Sequence, residues 1–190
     1  MADLKQLLAQ VSQCRLCEAH LPLGPRPVVR ASATARLLII GQAPGTKVHA
    51  TGIPFNDPSG DRLRQWLEMD RDHFYDAGQV AIMPMGFCYP GKGKSGDLPP
   101  RPECAPTWHQ ALLAQMPAIE LVLLVGRYAQ DQYLDDKRSL TERVQAFADY
   151  GPRYFPLPHP SPRNQLWLRR NPWFDAQVLP ALRARLALLR

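Results

Sequence analysis

The apolar positions of this chain fall into two rhythms. Four short runs, Arg36–Ile40, Val80–Met85, Leu121–Val125 and Tyr154–Leu157, are nearly continuous in apolar residues, as strands covered on both faces are. Around them, apolar residues recur at helical spacing over Ala2–Val11, Gly60–Glu68, Ala105–Met116, Arg127–Leu134, Leu140–Ala148 and Trp173–Leu189. Strands separated by helices pair in parallel through right-handed crossovers. The pattern therefore predicts an α/β fold with one domain over residues 1–190. Its expected form is a three-layer α/β/α sandwich around a central, mainly parallel four-stranded sheet. In such sheets ligands bind at the C-terminal ends of the strands.

The 20 prolines cluster between the predicted elements, above all at 84–106 and 152–162, which marks those loops as semi-rigid. Composition adds limits. With 45% hydrophobic and 21% charged residues and a mean hydropathy of −0.29, the chain is neither disordered nor fibrous. Its longest apolar runs fall far short of the roughly 20 residues that cross a bilayer. The N-terminus lacks the basic start and apolar block of a secretory signal, so a cytoplasmic protein without membrane contact is expected.

The formal charge of +6 and a pI near 9.4 bias the chain toward polyanions. Arg163, Arg169, Arg170, Arg183, Arg185 and Arg190 crowd the C-terminal end, interleaved with Trp167, Trp173 and Phe174. That mixture suits phosphate contacts with base stacking. The last helix itself reads as a solvated amphipathic helix.

Candidate chemistry sits where the strands end. Gly41-Gln42-Ala43-Pro44-Gly45 follows the first strand, and Thr51-Gly52-Ile53-Pro54-Phe55-Asn56-Asp57-Pro58-Ser59-Gly60 comes soon after. Small residues allow a backbone to approach a ligand closely. Pro158-His159-Pro160-Ser161-Pro162 follows the last strand, and a His fixed between prolines there is poorly explained by packing. Asp57 also stands where it would cap the next helix. Gln42 suits either the loop or a substrate, and His49 lies in the same region without a clear role. His20, His73 and His109 read as surface or capping residues. Gly86, Gly91 and Lys92 fit most of G-x-x-x-x-G-K, but Gly93 fills the Ser/Thr position and excludes a P-loop. Cys14 and Cys17 form C-x2-C, and Cys88 and Cys104 form C-x15-C. By spacing alone the four suit a metal centre, paired disulfides or free thiols.

The Gly41–Gly45 and His159–Ser161 blocks, in this order and at these strand ends, resemble the uracil-DNA glycosylase superfamily, whose first motif is G-x-x-P-G or G-x-x-P-A and whose last is H-P-S. The cysteine spacing resembles the ligand set of its iron-sulfur families four and five. The resemblance implies a structural [4Fe-4S] cluster on Cys14, Cys17, Cys88 and Cys104, clipping the N-terminal segment to the loop after the second strand, with zinc as the alternative. It further implies a monomeric DNA glycosylase that hydrolyses the N-glycosidic bond of a flipped uracil, or another deaminated or damaged base, in base-excision repair. Asp57 would orient water and steady the sugar cation, and His159 would stabilise the departing base. Phe55 would stack on that base, Gly41, Gln42, Ala43 and Gly45 would face it, and Met85 would line the pocket wall. Ser161 and Arg163 would grip flanking phosphates of the DNA partner.

Two positions depart from family four. Gln42 stands where that family has a water-activating Glu, and an amide cannot act as a base. Pro84 stands where it has an Asn that reads the uracil edge. These departures imply a different base, a looser pocket or lost activity. The alternative class is a catalytically weak nucleic-acid-binding or damage-sensing module that retains the fold and cluster.

Overall fold

The computed structural model describes residues 3–189. Met1, Ala2 and Arg190 lie outside the described residues, and with them the predicted helix start at Ala2 and the last arginine of the basic group. In chain order the strands are β1 (Leu37–Ile40), β2 (Val80–Ile82), β3 (Lys92–Gly93), β4 (Gly96–Asp97), β5 (Leu121–Val125) and β6 (Tyr154–Leu157). The α-helices are α1 (Leu4–Ser12), α2 (Thr46–Thr51), α3 (Pro58–Leu67), α4 (Arg71–Phe74), α5 (Cys104–Ala114), α6 (Arg127–Tyr133), α7 (Leu140–Gln145), α8 (Gln165–Arg170) and α9 (Leu179–Ala187).

The main sheet has the order β2-β1-β5-β6, and every neighbouring pair is parallel. Ile39 lies between Ile82 and Leu123 in register. Strand side chains alternate between faces, and here both faces are apolar because both are covered. Leu37, Ile39, Val80, Ile82, Leu121 and Leu123 pack on one layer with Leu63 and Trp66 of α3, Val144 of α7 and Leu182 of α9. Leu38, Ile40, Ala81, Val122 and Leu124 face the other, against Leu7 and Val11 of α1, Leu112 of α5 and Ala129 of α6. Each fully buried Leu, Ile or Val contributes about 1.5–3 kcal/mol, so this two-sided burial fixes the expected three-layer sandwich.

The boundaries move for identifiable reasons. Pro84 has no N–H to donate to a ladder, and β2 ends at Ile82 rather than Met85. The C-terminal helix divides into a π-helical turn, Phe174–Val178, and α9. Pro180 cannot donate to the carbonyl four residues back, which disturbs the α register. The short elements α2, α4, α8 and the β3–β4 hairpin are too brief to leave a periodic signal.

The C-terminal aromatics turn inward, against the expectation of a stacking surface. Phe174 is buried and lies edge-on to Trp66 and Trp167, while Trp167 donates from Nε1 to Thr141. Arg183 binds the carbonyls of Gln65 and Trp66 and pairs with Glu68, and Arg185 donates to the Pro152 carbonyl. These two arginines hold the last helix to the body. Arg163, Arg169 and Arg170 remain exposed. No helix among the described residues is long and apolar enough to cross a membrane.

Candidate active site

A cleft of about 380 Å³ opens at the C-terminal ends of β1, β2 and β6. The loop after β1 forms its floor. The carbonyls of Gly41 and Gln42 accept hydrogen bonds from the N–H groups of Met85 and Gly86, at 2.9 and 3.0 Å. The N–H groups of Gln42, Ala43 and Gly45 donate to no described residue. With its carbonyls spent on the neighbouring strand's continuation, the loop offers unpaired donors. The Gln42 side chain lines the cleft without bonding the loop.

Phe55 supplies one wall in a left-handed conformation, φ 57°, which costs a non-glycine residue about 1–3 kcal/mol. Its ring lies so close to Gly41 that a Cβ there would stand 3.1 Å from Cζ. At Gly60 a Cβ would overlap the Phe55 carbonyl oxygen. Arg64 donates to that carbonyl at 3.2 Å, and Phe74 meets the Phe55 ring edge-on. The strained backbone is held by three surrounding elements.

Asp57 does both jobs open to it. It is the N-cap of α3, with Oδ1 accepting from the Gly60 N–H at 2.8 Å and Pro58 following. The same side chain lines the cleft, with its other carboxylate oxygen uncommitted. His159 comes from the loop after β6. Its Nδ1 accepts from the Ser161 N–H at 3.1 Å, which assigns the ring proton to Nε2. Burial lowers its pKa below the ordinary 6.5, and the carboxylate of Asp57 opposes that shift. Gly126, at φ 89°, lets β5 end against the imidazole, with a Cβ there only 3.6 Å from Cδ2.

The β3–β4 hairpin forms the rim and carries residues that motif reading missed. Lys92, Ser95, Gly96 and Asp97 all line the cleft. Arg163 crosses to donate from NH1 to the Ser95 carbonyl at 2.8 Å. Asp97 feels Asp57, Arg163 and Lys92, and partial desolvation raises its pKa. The available signal was the Gly93-Lys94-Ser95-Gly96 turn followed by an acidic residue in a basic loop.

The structure thus brings Gly41, Gln42, Ala43, Gly45, Phe55, Asp57, His159, Ser161 and Arg163 onto one cleft. Met85 is not among its lining residues. Its side chain is buried in the layer with α5, because the strand-like alternation turns Pro84, not Met85, toward the cleft. His49 also lies apart, its Nδ1 buried without a partner. His109, read as a surface residue, is buried on α5 and bonded to Tyr133 and the Pro84 carbonyl. It anchors the cleft wall at Pro84.

On the opposite side of the Gly86–Cys88 loop, Cys14, Cys17, Cys88 and Cys104 line one small cavity with Arg101. The Phe87 N–H donates to Cys104 Sγ at 3.3 Å. Burial pushes the Cys88 thiol up to about 11 and the Cys104 thiol up to about 12, with the neighbouring cysteines adding to each shift. Buried nearby, Arg101 Nε has no hydrogen-bond partner. Among the described residues no three His, Cys, Asp or Glu side chains converge closely enough to hold a single metal ion.

The sequence model of the uracil DNA glycosylase superfamily matches residues 29–183. A type-4 uracil-DNA glycosylase of Thermotoga maritima is 26% identical over 165 residues, covering 84% of this chain and 82% of that relative.

Proposed function

The chain belongs to the uracil DNA glycosylase superfamily, and from that premise we propose that it is a DNA glycosylase that hydrolyses the N-glycosidic bond of a flipped, deaminated or damaged base in base-excision repair. The observation that carries this reading is the union of the unpaired N–H groups after β1, Asp57 and a neutral His159 in one cleft. Glycosidic cleavage passes through an oxocarbenium-like state, leaving negative charge on the base and positive charge on the sugar. Preorganised donors belong at the first and a carboxylate at the second.

His159 meets the first need. Its Nδ1 is held by Ser161, so Nε2–H is the group available to the departing base, and its lowered pKa keeps it neutral near pH 7. Such a donor requires no reorganisation as charge develops. The Gln42, Ala43 and Gly45 N–H groups would add to it. Asp57, held by its cap bond to Gly60, keeps one oxygen toward the cleft to orient water and steady the sugar. Phe55 would stack on the extruded base. Pro84 brings no donor to the wall and its carbonyl is taken by His109, which favours a base other than one recognised through an amide at that position. Arg163, Arg169 and Arg170 would contact phosphates.

The same reading describes one domain whose N-terminal segment is clipped by Cys14, Cys17, Cys88 and Cys104, as a cytoplasmic monomer. Four thiols around one cavity, with an unpartnered arginine Nε beside it, suit an anionic [4Fe-4S] group, with zinc as the alternative. Bound there, the cluster would supply a rigid cross-link rather than a reacting group.

The test is single-turnover base release from oligonucleotides carrying uracil, hypoxanthine, xanthine or ethenocytosine. Release from at least one is expected. DNA binding without release from any would refute the enzymatic reading and favour a damage-sensing module.

A further inference from the structure

We propose that Asp97, delivered to the cleft by the β3–β4 hairpin, is a second catalytic carboxylate, the group that takes the proton from the attacking water. This rests on the glycosylase reading above. Hydrolysis needs a proton acceptor, and each of the other polar groups discussed above either cannot accept a proton or has another task. Gln42 is an amide. His159 has its acceptor nitrogen occupied by the Ser161 N–H, so its other nitrogen is a donor. Asp57 gives one oxygen to Gly60, and the other is the counter-charge to the sugar cation, a role that requires it to stay ionised. Lys92 and Arg163 only donate. Asp97 lines the same cleft, and its carboxylate accepts no hydrogen bond from the described residues.

Its placement is built. Lys92 pairs with Asp97 and Gly93 with Gly96 across the hairpin, and Leu98 N–H closes back on the Gly91 carbonyl at 2.8 Å. The bond from Arg163 to the Ser95 carbonyl ties the hairpin tip to the loop that carries His159. Asp97 Oδ2 thereby reaches the β1 loop, 3.5 Å from where a Cβ of Gly45 would stand.

The charged groups facing Asp97 are Asp57 at the start of α3, Arg163 after β6 and Lys92 across the hairpin, with the neutral Tyr89 phenol after β2. Partial desolvation on the cleft side and Asp57 make the carboxylate more basic, while the two cations keep its charged form accessible, the balance a general base needs. Asp97 also remains exposed to solvent, so a proton taken from water can pass to bulk. In the step, the water oxygen bonds to the sugar carbon and its proton moves to Asp97. The carbon–nitrogen bond breaks with its electron pair leaving on the base. Solvent later protonates the base and receives the proton from Asp97.

The experiment compares single-turnover base release and DNA affinity for wild type, D97A and D57N, with and without added formate. A lost general base lowers the rate roughly 10²- to 10⁴-fold. D97A should show that loss equally on every base the wild type removes, with DNA affinity and thermal midpoint unchanged. Formate, a small carboxylate able to enter the vacated space, should raise the D97A rate with concentration and leave D57N unaffected. D97A at wild-type rate, a loss confined to one base, or a loss that formate does not relieve would each overturn the assignment. An active wild type with any of these leaves the glycosylase reading standing; a wild type that releases no base takes both down.

Discussion

Replacing Asp57 by Asn and by Ala separates the two jobs the structure gives one side chain. As N-cap of α3, Asp57 satisfies the Gly60 N–H through Oδ1, and Asn caps nearly as well as Asp. D57N should therefore melt within a degree or so of wild type. D57A loses the cap, which costs about 0.5–2 kcal/mol, and at roughly 2–4 °C per kcal/mol for a domain of this size its midpoint should fall by about 1–8 °C. The catalytic job depends on charge, not on capping. Removing a preorganised electrostatic contact of this kind costs about 10²- to 10³-fold in rate, or 2.7–4 kcal/mol. D57N and D57A should then be equally slow in single turnover although only D57A is less stable, with DNA affinity little altered because the interaction is used in the transition state. The assay pairs alkali-revealed strand cleavage at the abasic product with thermal unfolding of the same preparations. Wild-type turnover in D57N would reduce Asp57 to a helix cap and refute the mechanism.

Three further outcomes follow. His109 is buried and His159 half-buried, and desolvation lowers the pKa of both, so the unfolded chain binds more protons below the ordinary value of 6.5 and stability should decline as pH falls from about 6.5; a thermal midpoint flat between pH 7 and pH 5 would contradict this. R163A should weaken binding alike on all DNA sequences and reduce the salt slope by about 1, measured by titration at several salt concentrations, and an unchanged slope would remove Arg163 from the phosphate contacts. Purified protein should be brown and hold iron and acid-labile sulfide in equal amounts, and C88A should lose both with a lower melting point; colourless protein carrying one zinc would exclude the cluster.

The sequence by itself determined the sandwich, because β1, β5 and β6 are apolar at every position and only two-sided burial explains that. It also determined the motif loop, Phe55, Asp57 and His159 as a candidate set, since small residues, a fixed His and a capping carboxylate at strand ends are local signals. The four cysteines could be grouped by spacing, yet their common cavity exists only because α1 and α5 pack side by side. Tertiary structure alone decided which side of the wall faces the cleft. Met85 turns into the core and Pro84 outward, a choice made by the bonds to Gly41 and Gln42 that no local pattern encodes. It decided that Phe174 is core and that Trp167 and Trp173 pack against it, since helix packing takes them up whatever their neighbours in sequence. It also decided the role of Asp97. Two strands of two residues leave no periodicity to read, and the bond that ties the hairpin to the site comes from Arg163, 68 residues further along the chain from Ser95.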